Sequence, residues 1–132
     1  MDPNFWLAHI TLGQAYVQKA MYQEALAEFQ KTVGAPGFPG GPAFVGYALA
    51  VSGKRGDARR VLDQVKRSPP DLWAMAALAT GLGDKDQAFA WLQKAREDHF
   101  IIFASIKVDP VFDSLRSDPR FTELLRSIGL ER

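Results

Sequence analysis

The sequence predicts an all-α fold, a right-handed α-solenoid of about three stacked helix pairs followed by a C-terminal helical cap. Three observations lead there. Apolar and small residues recur at the i, i+3, i+4, i+7 spacing that lines one face of a helix. The small residues return at a nearly fixed offset along the chain, the mark of a structural repeat. Short breaks return at the same offset, between the two helices of each pair.

The first pair runs from His9 to Phe29. His9, Leu12, Gly13 and Tyr16 form the stripe of its first helix, a break follows at Lys19–Met21, and Tyr22, Ala25, Leu26 and Phe29 form the second stripe. A first shift carries Gly13 to Gly46, Ala25 to Ala58 and Phe29 to Leu62; a second carries Ala58 to Ala88 and Leu62 to Leu92. The break becomes Ser52-Gly53-Lys54 and then Leu82-Gly83-Asp84, and the third first helix carries Leu72, Met75, Ala76 and Ala79. Gly13, Gly46 and Ala76 are expected where the helices of a pair approach most closely. Ala25, Ala58 and Ala88 are expected where the second helix meets the first helix of its own or the next pair. A larger side chain at either place would push backbones apart. Gly53 and Gly83 sit where a left-handed residue ends a helix cleanly.

Gly34-Ala35-Pro36-Gly37-Phe38-Pro39-Gly40-Gly41-Pro42 breaks the helical pattern, as does Ser68-Pro69-Pro70-Asp71. The expected units are therefore 4–33, 42–67 and 70–97, with a cap over 98–132, all in one domain of residues 1–132. The apolar run His99–Lys107 fits a buried helix or a strand by composition; its helical neighbours favour helix. Asp109-Pro110 and Asp118-Pro119 place an N-cap before a first-turn proline, so a short helix is expected near Pro110 and a last one near Pro119. Phe121, Leu124, Leu125 and Ile128 give that last helix its apolar stripe and Gly129 ends it. Arg116, Arg120, Glu123 and Arg126 are expected to face outward from the cap.

The arrangement resembles the tetratricopeptide repeat, whose pattern is Trp-x2-Leu-Gly-x2-Tyr followed by Ala-x3-Phe. The first copy carries Leu12, Gly13, Tyr16, Ala25 and Phe29, with His9 in place of the aromatic residue. The second carries Val45, Gly46, Leu49, Gly53, Ala58 and Leu62, and the third Met75, Ala76, Ala79, Gly83, Ala88, Leu92 and Ala95. The ending Lys107-Val108-Asp109-Pro110-x-Phe112-Asp113-x-Leu115-Arg116-Ser117-Asp118-Pro119-Arg120-Phe121 is similar to the close of tetratricopeptide regions in multidomain bacterial regulators, among them winged-helix transcription factors, adenylate cyclases and Ser/Thr kinases. Asp2-Pro3-Asn4 resembles the tail of a preceding repeat. The resemblance implies an accessory or sensory protein-binding region, as a fragment of a longer protein or a small gene derived from one.

Composition sets further bounds. Apolar residues make up 47% of the chain and charged residues 23%, ordinary values for a folded domain. The formal net charge of +1 gives no long-range pull toward nucleic acid or an anionic membrane. There are no cysteines, so disulfides and thiolate metal sites are excluded. No apolar run approaches the roughly 20 residues that span a bilayer, and Met1–Trp6 lacks the basic start of a signal peptide. A soluble, cytoplasmic protein is expected, or a periplasmic one if its parent is membrane-anchored.

The residues of an enzyme do not assemble. His9 lies on a packing face, His99 stands alone, and no His-x-x-x-His spacing exists, so no metal or other cofactor is expected. Gly37-x-x-Gly40-Gly41 follows no strand and carries no Lys-Ser/Thr, unlike a phosphate loop. Asp84 reads as a helix cap with Asp86 in the favourable first turn. Lys54, Arg55, Arg59, Arg60, Lys66 and Arg67 form the most basic stretch, interrupted by Asp57 and Asp63; it is read as a solvated helix face, with an RNA- or lipid-contacting surface as a minor alternative.

The expected activity is protein binding. In a stack of helix pairs the first helices line the concave side. The face next to the packing stripe carries Ile10, Gln14 and Val17, then Ala43, Tyr47 and Ala50, then Trp73 and Ala77. That groove suits an apolar peptide or helix. Ile10, Gln14, Phe44, Pro70 and Ala74 stand where chaperone-tail binders place Lys, Arg and Asn, so a carboxylate clamp is not expected. Two alternatives remain: a groove that is shallow or filled by the chain's own tail, and a self-association module. The second rests on Phe5, Trp6 and Leu7, large apolar residues at the start of the first helix and the expected face of a homodimer.

Overall fold

A computed structural model describes residues 5–34, 40–67, 72–97 and 110–127. Among them every element is helical. The α-helices are α1 (Phe5–Gln18), α2 (Tyr22–Gln30), α3 (Gly41–Val51), α4 (Arg55–Val65), α5 (Leu72–Gly81), α6 (Lys85–Glu97) and α7 (Pro119–Ser127). A 3₁₀ helix spans Pro110–Leu115 between α6 and α7, where the Asp-Pro signal placed a short helix. The segment 99–107, Ile128 and Gly129 lie outside the described residues, as does the 68–71 break.

Each pair is joined by the same turn. In the first, the Ala20 N–H donates to the Val17 carbonyl at 3.0 Å and the Met21 N–H to the Tyr16 carbonyl at 2.9 Å. In the second, Gly53 donates to Ala50 at 3.1 Å and Lys54 to Leu49 at 2.8 Å; in the third, Gly83 donates to Thr80 and Asp84 to Ala79, both at 3.0 Å. This double closure satisfies the orphan carbonyls of a helix end and needs a left-handed residue. Gly53 and Gly83 supply it with φ of 95° and 76°, while the first turn uses Ala20 at φ 59°, against its steric preference.

The next helix starts identically each time. The N–H groups of Ala25, Ala58 and Ala88 donate to the carbonyls of Met21, Lys54 and Asp84, each at 3.0 Å. All three alanines are fully buried. Only Asp84 adds a side-chain cap, its Oδ1 accepting from the Gln87 N–H at 3.1 Å. Asp118 caps α7 in the same manner, accepting from the Arg120 N–H at 2.9 Å ahead of Pro119.

Helices pack in chain order: α1 on α2, α3 on α4, α5 on α6. Between pairs, α3 also lies against α2 and α5, and α7 joins the end of the molecule at α6. Small residues mark the closest approaches. A Cβ on Gly13 would stand 2.4 Å from the Phe29 ring, and one on Gly46 would stand 2.9 Å from Leu78 and 3.0 Å from Val61. In the Gly/Pro-rich linker the requirement falls on Gly41, where a Cβ would meet the Thr32 carbonyl oxygen at 2.8 Å. Phe29, Phe44 and Tyr47 form a ring cluster between α2 and α3 with centroids 5.5–6.3 Å apart. Helix α5 is apolar all round, and Leu72 and residues 74–80 are buried, as its composition requires.

The expected first stripe needs one correction. Gly13 is buried and His9 and Tyr16 are half-buried, but Leu12 is exposed. The inward face of α1 is turned toward Ile10 and Gly13, because Gly13 must meet Phe29 and Leu12 is carried off that line.

Ala58→Leu and Ala88→Leu are each expected to cost about 1–3 kcal/mol by overpacking; melting temperatures equal to wild type would refute the packing register. Ala20→Gly is expected to stabilise by about 1 kcal/mol, because glycine adopts the left-handed turn without steric cost. Chemical denaturation reads both effects, and a destabilised Ala20→Gly would show that the turn is not strained.

Candidate interaction surface

The positions expected to line a groove have a different fate. Ile10, Ala43, Tyr47, Ala50 and Ala77 are buried, and Gln14 and Val17 are half-buried. The Trp73 side chain lies outside the described residues. The cause is visible at α5, where a Cβ on Gly81 would stand 2.9 Å from the Tyr47 ring and 3.4 Å from the Ala50 Cβ. The side of α3 expected to face a ligand faces α5 instead. The 3₁₀ helix then packs on α1 and α5, burying Val111, Phe112 and Leu115. These five side chains are core, and the chain's own C-terminal segment covers part of the side where the groove was expected.

The open apolar surface lies elsewhere on α1. Its exposed residues Leu7, Ala8, Thr11, Leu12, Ala15 and Gln18 form one contiguous arc without a charge. Leu7 is 47% and Leu12 41% exposed. By contrast, the exposed residues of α4 include Arg55, Asp57, Arg59, Arg60 and Asp63. Of the expected face, Leu7 is exposed, Trp6 is half-buried against the core, and the Phe5 side chain is outside the described residues. Leu12 takes the place given to Trp6. Its exposure was not readable from spacing, since a leucine in a repeat position reads as core.

His9 does more than pack. Its Nδ1 lies 2.6 Å from Glu28 Oε2, where the ring N–H donates to the carboxylate and ties α1 to α2. Lys31 Nζ donates to the other carboxylate oxygen at 3.2 Å. The hydrogen bond from His9 holds the Glu28 carboxyl below its ordinary 4.5, against the opposing effect of partial burial and with help from Lys31.

The basic stretch divides. Arg60 pairs with Asp57 at 2.6 Å and Lys66 with Asp63 at 3.1 Å, both one turn apart and exposed, as expected of a solvated face. Arg55 is different: its guanidinium donates to the Leu82 carbonyl at the end of α5. Among the described residues no group of three or more His, Cys, Asp or Glu is placed to hold a metal ion, and no helix is long and apolar enough to cross a membrane. The chain matches no family model, no curated protein and no solved structure.

Because Glu28 is depressed in the fold, its stabilising effect is complete above pH 4.5 and is lost as pH falls below that, through its lower folded value. The melting temperature of Glu28→Gln is therefore expected to fall less steeply with acid than that of wild type. Parallel curves in that range would remove Glu28 as the source.

Proposed function

We propose that this chain is a protein–protein interaction module of the tetratricopeptide type, a short α-solenoid that holds another polypeptide and carries out no reaction. The observation behind this reading is the repeated turn. Three helix pairs close with the same two hydrogen bonds, and each is followed by a fully buried alanine that starts the next helix. Such a unit cannot bury its apolar face alone, and stacking several creates an extended surface suited to polypeptides. The place of the module as an accessory region of a bacterial regulator rests on the ending from Lys107 to Phe121.

The proposal takes two forms, an apolar peptide in the concave groove or self-association. Burial of Ile10, Ala43, Tyr47, Ala50 and Ala77 removes most of the surface that the first form needs. The uncharged arc on α1, with Leu7 and Leu12 in water, favours the second. A two-fold pair that sets one α1 against another covers both leucines at once and is the commonest closed arrangement.

The test is light scattering across a dilution series. A dimer that Leu7→Glu with Leu12→Glu converts to a monomer, without loss of helical circular dichroism, is the expected result. A wild type that stays monomeric at high micromolar concentration would refute self-association through α1.

A further inference from the structure

The basic stretch contributes to something its own sequence neighbourhood does not contain. Arg55 and Arg59 of α4, the turn Leu82–Gly83–Asp84, Lys85 and Asp86 of α6, and Arg120 of α7 surround an open hollow of about 520 Å³. Four basic side chains line it with two carboxylates, and Asp118, bonded to Arg120, adds a third negative charge. The carboxylates are already engaged. Asp84 caps α6, and Asp86 accepts from Arg120 at 2.7 Å. Arg55 is committed to the Leu82 carbonyl, whereas Arg59 and Lys85 have no hydrogen-bond or ion-pair partner among the described residues. Arg59 is thus free of any such bond, and Lys85 feels only the through-space charge of Asp118, whose oxygens Arg120 already takes.

Arg120 is also the wall of a second hollow. This one, of about 310 Å³, runs between α6 and α7 and is lined by Phe89, Gln93, Glu123, Leu124 and Ser127 as well as Arg120. The Arg120 guanidinium lies 4.6 Å from the centre of the Phe89 ring, fixed by Asp118 at 3.0 Å and Asp86 at 2.7 Å. Those carboxylates hold its pKa well above the usual arginine range. Arg120 thus stands between an apolar slot and a cationic hollow.

We propose that this pair of hollows binds a peptide segment of a partner protein that carries an apolar side chain beside a run of carboxylates. The apolar side chain enters the slot against Phe89 and Leu124. The carboxylates pair with Arg59 and Lys85, which gain charge partners with no desolvation of a buried ion. RNA fits less well, because base stacking needs an open aromatic face and Phe89 is buried beneath Arg120. The site extends the reading of the chain as an interaction module but does not use the α1 arc, so one can fail without the other.

Fluorescence anisotropy with a labelled peptide Gly-Leu-Glu-Glu-Asp-Glu-Gly tests it on the full chain at low salt. The acidic peptide is expected to bind, with affinity falling as salt rises. Arg59→Glu with Lys85→Glu should weaken it by about tenfold. Both residues are exposed and unpaired, and the melting temperature of the double variant checks that it is folded. A peptide with Gln and Asn for Glu and Asp, and one with Gly for Leu, should each bind more weakly. Binding that survives in the Leu7→Glu, Leu12→Glu variant keeps this site apart from α1. No binding of the acidic peptide, equal binding of either altered peptide, indifference to the charge reversals, or tighter binding of single-stranded poly(U) would each overturn the proposal.

Discussion

Phe29 stands where the first two helix pairs meet, and its ring occupies the space that Gly13 leaves empty. A single methyl group on Gly13 would lie 2.4 Å from that ring. Seated there, the ring presents its other side to Phe44 and Tyr47 of α3. Tyr47 in turn lies on Gly81, at the end of α5. Glycine, aromatic, aromatic, glycine: the sequence of contacts leads from α1 to α5 and touches all three helix pairs. Protein interiors have low compressibility, so a larger residue at any contact of this line must displace its neighbour.

That line also decides what the surface can be. An aromatic ring laid across the gap between pairs pulls the first helices together, and a helix as uniformly apolar as α5 has no side to spare for water. The side chains expected to grip a ligand were apolar because they grip one another. What remains exposed is the periphery: the outer arc of α1, and the region where α4, α6 and α7 bring their charges together.

The turns were the legible part of the fold. Glycine at 53 and 83 and alanine at 58 and 88 have stereochemical and packing reasons that hold wherever a helix pair closes, so spacing alone located them. Asp84 and Asp118 were legible as caps for the same reason. Two things were not. The rotation of α1 about its own axis depends on where Phe29 reaches, which spacing within α1 cannot reveal, so Leu12 read as core and Ile10 as surface. The cationic hollow joins α4 to α6 and α7, and Arg120 is far from Arg59 along the chain. Within the basic stretch, Arg59 looks no different from Arg60. Only folding separates them, by giving Arg60 its Asp57 and placing Arg59 on the hollow that Lys85 also lines.

Helices α1 and α6 differ in how their outer sides are covered. At α6 the cap supplies cover: Phe121, Leu124 and Leu125 are buried, and Arg116 and Arg120 lie over the rings of Phe121 and Phe89. Arginine on an aromatic face keeps the surface polar while the ring stays dry. Among the described residues α1 has no such cover, and its exposed arc carries no charge that could solvate it or repel a neighbour. An apolar arc recognises by shape and area and does not depend on salt, whereas a cationic hollow recognises by charge and weakens as salt rises. The proposed module would hold one partner by each means.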